Sequence, residues 1–287
     1  MERTGSGRLW ALVLAGGDGT RLQALTRLLT GVPIPKQYCR ILGDRSLLET
    51  TLDRIAPLVP REQTLVVINR AHLDLALPQL ASVPPANVLA QPQNLDTGPG
   101  LVVSLGELAR RDPGATVAIF PSDHDVRATA RFRRAVTRMS DLVERHPERI
   151  ALLGVRPDEP DTGFGYIAPG HRLDRATEAF RVVAFHEKPT REVALQIIRR
   201  GGLWNSFVMV GRVARFLELV REIRPDGAAD TPWNFSTDFL GRVPQHLFVV
   251  PGEALGWSDW GTPEAIERTF AAMGLIPSWH TPQRATG

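Results

Sequence analysis

Lysine is nearly absent from this chain: of 34 basic residues only Lys36 and Lys188 are lysine, and all the others are arginine. A chain that replaces lysine wherever the two are interchangeable keeps it where a compact, strongly hydrated ammonium is needed, for example against a non-bridging phosphate oxygen. Each survivor sits in a proline-bearing motif, Pro35-Lys36-Gln37 and Glu187-Lys188-Pro189. A solvated surface lysine is the alternative for either one taken alone. Cysteine occurs once, as Cys39, which excludes an internal disulfide and fits a small buried thiol better than a nucleophile. No apolar run approaches the roughly 20 residues a membrane helix needs. The polar stretch 1–8 is too short for a secretory signal, so a cytoplasmic location and no membrane partner are expected. Blocks of one charge sign are also missing, and the formal net charge is only +3. Arg131, Arg133, Arg134 and Arg138 alternate with Phe132, Val136 and Met139 at helical spacing. That is a solvated helix face without an exposed aromatic to stack a base, so nucleic acid is not an expected partner.

With 287 residues, 43% of them hydrophobic, the chain can bury one substantial core. The run 10–14 is short, apolar and ends in Gly-Gly, as a buried parallel strand entering a βα loop does. A helix opens at Ser46, where Ser46 and Glu49 have capping-box spacing and Leu47, Leu48, Leu52, Ile55 and Leu58 form an apolar stripe. Further strands are expected at 64–68, 87–90 and 116–120, with helices at 71–80 and 97–110. The alternation predicts an α/β protein with a Rossmann-like, doubly wound, mostly parallel sheet. Ligands of such sheets lie beyond the carboxyl ends of the strands, which places the Gly16 loop and Pro121-Ser122-Asp123-His124 on one rim. From residue 150 the strands shorten (150–155, 165–168, 180–185, 207–210), with helices at 191–200 and 212–223. This predicts a smaller lobe that completes the cleft. The termini, 1–7 and 278–287, are expected to fray.

Leu14-Ala15-Gly16-Gly17-Asp18-Gly19-Thr20-Arg21 lets backbone N–H groups crowd around an anion, with the Thr20 hydroxyl and the Arg21 guanidinium beside them. The loop matches neither the dinucleotide fingerprint nor the Walker loop; a plain tight turn is its alternative. Asp123, just past a strand end, is placed to hold a metal, and Asp259 in Trp257-Ser258-Asp259-Trp260-Gly261 is the natural second carboxylate. Mg²⁺ in phosphoryl chemistry takes one or two carboxylates plus phosphate oxygens and water. Capping a helix or turn is the alternative for each. His124 reads as a structural neighbour rather than a zinc ligand, because no Cys or second His stands at ligand spacing.

These stretches, with Thr162 to Ile167, Trp204-Asn205-Ser206 and the two lysine motifs, follow one another as in sugar-nucleotide pyrophosphorylases. The chain resembles that family of nucleotidyltransferases over about residues 9–273, most closely its mannose-1-phosphate guanylyltransferases. The resemblance implies one domain over 8–278, with a nucleotide half at about 8–149, a sugar-phosphate half at 150–278 and flexible 1–7 and 279–287. It implies Mg²⁺-dependent attack of a sugar 1-phosphate on the α-phosphorus of a nucleoside triphosphate, GTP and mannose 1-phosphate being the expected partners. Homo-oligomer assembly is left open. By the same resemblance Leu14, Ala15, Gly16, Gly17, Gly19, Thr20, Arg21, Gln91, Thr97 and Gly98 bind the nucleotide. Gly165, Glu187, Lys188 and Asn205 bind the sugar phosphate, and Asp123 and Asp259 hold the metal. Arg21, Lys36, Asp123, Lys188 and Asp259 form the catalytic set, with Lys36 at the α-phosphate.

Four departures stand out. The loop 28–34 is longer than in typical relatives, and Gln23-Ala24 replaces the usual Trp-Pro. Gln91-Pro92 replaces Glu-Pro, and Leu95-Asp96-Thr97 replaces Arg-Asn-Thr. A Glu could accept from two adjacent guanine N–H donors, whereas Gln offers one acceptor and one donor, as in thymidylyltransferases. Thymidylyl or cytidylyl transfer, and a non-catalytic NDP-sugar sensor on the same fold, are therefore the alternatives. The isomerase or β-helical extensions of longer relatives are not expected.

Overall fold

A computed structural model describes residues 8–173, 177–225 and 229–280. In chain order the elements are β1 (Leu9–Ala15), α1 (Gln23–Thr30), α2 (Leu47–Ile55), β2 (Thr64–Asn69), α3 (Leu73–Ala76), β3 (Val88–Gln91), α4 (Thr97–Arg111), β4 (Thr116–Pro121), β5 (Asp125–Val126) and α5 (Thr129–Arg145). They continue as β6 (Ile150–Val155), β7 (Gly165–Arg172), β8 (Phe180–Glu187), α6 (Arg191–Arg199), β9 (Leu203–Arg212), α7 (Val213–Ile223), β10 (Leu247–Gly252), β11 (Trp257–Ser258) and α8 (Pro263–Ala272).

Nine strands form one sheet in the order β3-β2-β1-β4-β9-β6-β10-β8-β7. Side chains of β1 alternate between its faces, as a period of two requires. Ala11, Val13 and Ala15 join one buried cluster with Leu48, Leu52 and Ile55 of α2 and Phe132, Val136 and Met139 of α5. Trp10 and Leu12 join the other, with Leu101, Leu105 and Leu108 of α4 and Phe216 and Leu219 of α7. Helices thus cover both faces of the sheet. A satellite cluster packs Leu22 and Leu25 against Trp260, Ile266 and Phe270, fastening α1 and α8 together at one end.

The sheet is mixed rather than mostly parallel. β1 runs parallel to β2 and β4, β2 to β3, and β6 to β10. β9 is antiparallel to β4, β6 and β7, and β8 is antiparallel to β7 and β10. The inserted β9 runs against the parallel set β3-β2-β1-β4 on one side and the parallel pair β6-β10 on the other, and the strands after residue 150 extend the same sheet. This reversal brings Asn205, near the start of β9, to the rim where β1 and β4 end.

Most expected elements are present, with the capping box at Ser46 and Glu49 fully formed and Cys39 buried. The stretch expected as a helix at 71–80 is broken into short turns around α3, with Pro78 supplying no backbone donor. α1 and α8 lack a sequence-level expectation, and β9 starts four residues earlier than the apolar run 207–210 suggests. Residues 278–280, expected to fray, form a helical turn with Trp279 against Phe270 at 5.4 Å; 1–7 and 281–287 lie outside the described residues. No described helix is long and apolar enough to cross a membrane.

Candidate active site

At the rim where β1, β3 and β4 end lies a cavity of about 570 Å³. Of the residues expected to bind nucleotide, Leu14, Gly16, Gly17, Arg21, Gln91 and Thr97 line it; of the sugar-phosphate set, Gly165, Glu187, Lys188 and Asn205 do; and both Asp123 and Asp259 do. Ala15, Gly19, Thr20, Lys36 and Gly98 are not on its wall.

The glycine loop is held open from behind. Gln37 Nε2 donates to the carbonyls of Ala15 (3.2 Å) and Gly17 (2.6 Å), and the Tyr38 hydroxyl donates to Ala15 O at 2.7 Å. Those carbonyls are occupied and do not confront an incoming anion. Gly19 has φ +60, and a Cβ there would meet Lys36 N at 3.0 Å and Pro35 Cα at 3.1 Å, so the loop closes directly on the Pro35-Lys36 backbone. Gln91 packs its amide between two glycines: a Cβ on Gly16 would meet its Oε1 at 3.3 Å and one on Gly100 its Nε2 at 2.7 Å. Gly98 serves packing, since a Cβ there would sit 2.2 Å from carbons of the Trp233 ring.

Asp123 and Asp259 lie 136 residues apart in sequence and meet through a two-stranded ribbon. β5 and β11 pair antiparallel, Trp257 with Val126 and Ser258 with Asp125. Trp260 anchors the far end: it is 1% exposed, with Nε1 on Thr269 Oγ1 at 3.0 Å and a strained φ of +48. Lys36 ties the two carboxylate loops together. Its ammonium donates to the carbonyl oxygens of Asp259 and Trp260 and pairs with Asp123 Oδ2 at 3.3 Å. Burial works to raise the Asp123 pKa, but Lys36 and His124 outweigh it and the carboxyl sits below its ordinary value. Trp257 Nε1, a donor only, donates a hydrogen bond to His124 Nδ1 at 3.3 Å. Burial keeps His124 below its ordinary pKa; with Nδ1 accepting from Trp257, Nε2 carries a hydrogen and lies 3.6 Å from Asp123 Oδ1.

The hard oxygen donors of Asp123 and Asp259 suit Mg²⁺. No group of three His, Cys, Asp or Glu among the described residues could hold an ion alone, so phosphate and water would complete the shell. On the opposite wall Gly165 faces Glu187 across the β7–β8 pair, and a Cβ there would meet Glu187 Oε2 at 2.7 Å. Burial pushes the Glu187 carboxyl up, opposed by Lys188 at 3.7 Å and by a hydrogen bond from Ser236. Asn205 Oδ1 accepts from Phe207 N at 3.1 Å. Asp96, Lys188 and Phe207, which line the cavity, are three of five non-glycine residues with positive φ among the described residues, the strain expected where a site overrides backbone preference.

Sequence reasoning missed Gln37 as the loop's staple, and Asn94, Asp96, Asn234 and Ser236 as cavity wall. Only the neighbouring Pro-Lys motif marks Gln37, and nothing local marks Asn234 or Ser236.

Residues 10–274 match the family described as nucleotidyl transferase. The xanthan biosynthesis protein XanB of Xanthomonas campestris pv. campestris (strain B100) is 34% identical over 217 residues, 75% of this chain and 44% of that protein. Mannose-1-phosphate guanylyltransferase ManC of Salmonella typhimurium is 32% identical over 279 residues, 93% of this chain and 55% of that protein. The chain spans about half the length of the curated relatives it matches. Among solved structures, a mannose-1-phosphate geranyltransferase from Thermus thermophilus superimposes with TM-score 0.80 at 29% identity, covering 92% of this chain and 79% of that one.

Proposed function

The chain belongs to the nucleotidyl transferase family, and from that premise we propose that it transfers a nucleotidyl group from a nucleoside triphosphate to a sugar 1-phosphate. GTP and mannose 1-phosphate are the proposed pair, giving GDP-mannose and pyrophosphate, a reaction suited to a cytoplasmic setting. One observation supports this above all: the glycine loop, the Asp123–Asp259 pair and the Glu187–Lys188–Asn205 wall share one cavity. The relatives named mannose-1-phosphate guanylyltransferases favour mannose and guanine over other pairs.

In this reading the triphosphate lies on Gly16 and Gly17 with Arg21 beside it, and the sugar phosphate lies on Lys188. An oxygen of the sugar phosphate attacks the α-phosphorus in line. The new P–O bond forms as the bond to the β-phosphate oxygen breaks, and pyrophosphate leaves with the electron pair. Bound Mg²⁺ would be held by Asp123 and Asp259 and would neutralise charge on the phosphates. The protein contributes position and charge rather than a covalent nucleophile. Lys36 acts from beneath: it sets the spacing of the two carboxylate loops and adds positive charge at their base.

Pyrophosphate release over a grid of nucleoside triphosphates and sugar 1-phosphates tests the reading. Highest kcat/KM with GTP and mannose 1-phosphate is expected. Gln91→Glu should widen the GTP margin by roughly 5-fold to 150-fold, the scale of one buried hydrogen-bond mismatch. A parent preference for dTTP over GTP refutes the guanylyl assignment.

A further inference from the structure

Part of the cavity wall is built from two distant segments. Asp96 and Thr97 begin α4, and residues 233–236 come from the far end of the chain. Three contacts join them. Asn234 Nδ2 donates to both oxygens of Asp96 (3.3 and 3.2 Å), Phe235 N donates to Thr97 Oγ1 at 3.1 Å, and Gly98 N donates to Trp233 O at 3.1 Å.

Asp96 is more than the helix cap. Capping uses Oδ1, which accepts from Thr97 N at 2.6 Å and from the Thr97 hydroxyl at 3.2 Å. Among the described residues Oδ2 accepts only from Asn234, which leaves a lone pair there free for a further donor, and the residue is exposed on the cavity wall. Its φ of +69 costs backbone strain that a cap in ordinary geometry would not incur. Asn234, Ser236 and Glu187 line the same cavity, and Asp96 is close enough to Glu187 to add to the upward push on its pKa. Two carboxylates on one wall repel phosphate and accept hydrogen bonds from hydroxyls.

Resting on the proposed nucleotidyl transfer, we propose that Asp96, positioned by Asn234, is a specificity-determining residue that accepts a hydrogen bond from a ring hydroxyl of a substrate. The hydroxyl belongs either to the ribose of the nucleotide or to the sugar of the sugar 1-phosphate, and the chemistry is the same for both.

The test compares the unmodified protein, Asp96→Asn and Asn234→Ala on GTP, 2′-deoxy-GTP and 3′-deoxy-GTP, and on mannose 1-phosphate and its monodeoxy analogues. Asn is itself a good helix cap and keeps the fold. In the unmodified protein one deoxy compound should lose roughly 10-fold to 100-fold in kcat/KM, the scale of a hydrogen bond to a charged group. In Asp96→Asn that one ratio should collapse towards unity while the others stay put, and Asn234→Ala should move the same ratio part of the way. A ribose analogue singled out identifies the nucleotide as the source, and a sugar analogue the sugar phosphate. Unchanged ratios, or a uniform loss across the panel, overturn the assignment. Calorimetric Kd values for the same compounds separate this idea from the reaction: absent turnover with a hydroxyl-dependent, Asp96-dependent Kd refutes the transfer reading and leaves the inference standing.

Discussion

Replacing Arg54 by methionine removes the charge that faces Asp125 from beneath the Asp123–His124 segment. Arg54 is 4% exposed and Asp125 is 8% exposed. The Arg54 guanidinium donates to His124 O at 3.2 Å and lies over the Phe132 ring at 5.5 Å. Burial lowers Arg54 to about 10, with Asp125 opposing; burial raises Asp125, with Arg54 and Arg127 opposing. Among the described residues, neither the buried Arg54 Nε nor the buried Asp125 Oδ2 has a hydrogen-bond partner. Methionine retains an apolar stem against Phe132 but gives up the hydrogen bond to His124 O and the larger of the two charges that oppose the burial of Asp125, a loss of about 1–3 kcal/mol. At about 2–4 °C per kcal/mol for a chain of this order of size, Tm should fall by roughly 2–12 °C. Adding Asp125→Asn should recover part of the loss, with a coupling of about 1–3 kcal/mol in a double-mutant cycle. The pH dependence has a definite sign. A carboxyl whose folded pKa is raised gives stability that is fully present below its unfolded value, here 3.8, and lost as pH rises through the folded value. The Arg54→Met deficit should thus be largest at neutral pH and shrink as pH falls towards 4. Calorimetric melts of the four proteins at pH 5 and 8 measure both effects. Zero coupling together with an equal deficit at the two pH values refutes the reasoning.

Asp123→Asn and Asp259→Asn should each lower kcat by about 10²-fold or more, the scale of one preorganised electrostatic contact; near-full turnover at saturating Mg²⁺ removes that residue from the metal site. Lys188→Ala should chiefly raise KM for the sugar 1-phosphate. Lys36→Ala, because its ammonium ties Asp123 to the carbonyls of Asp259 and Trp260, should lower both kcat and Tm, and equal kinetic profiles for the two variants would contradict the split. Gly98→Ala should cost about 1–3 kcal/mol, since its Cβ must displace the Trp233 ring. Gly17→Ala, with open space around its Cβ, should leave the urea midpoint unchanged while weakening triphosphate binding.

What the sequence determined by itself was local. The short apolar runs of β1, β2 and β4, the capping box of α2 and the glycine turn are written in neighbouring residues, so hydrophobic runs and cap chemistry identify them. The rim position of Asp123 followed from its place after β4. The short motifs marked most residues of one cavity, because each is a contiguous requirement of backbone shape or charge. Tertiary structure alone decided the rest. Strand direction depends on how long connections cross the sheet, which is why β9 could run against both β4 and β6 and deliver Asn205 to the rim. The meeting of Asp123 with Asp259 needed the β5–β11 ribbon, two residues per strand and too short to carry a periodic signal. Lys36 carried a recognisable charge, yet the oxygens it grips lie more than 80 residues away. Asn234 reaches Asp96 across 138 residues. Local pattern fixes what a segment is; which distant groups share its hydrogen bonds is settled only when the sheet and its two helical layers close around a common core.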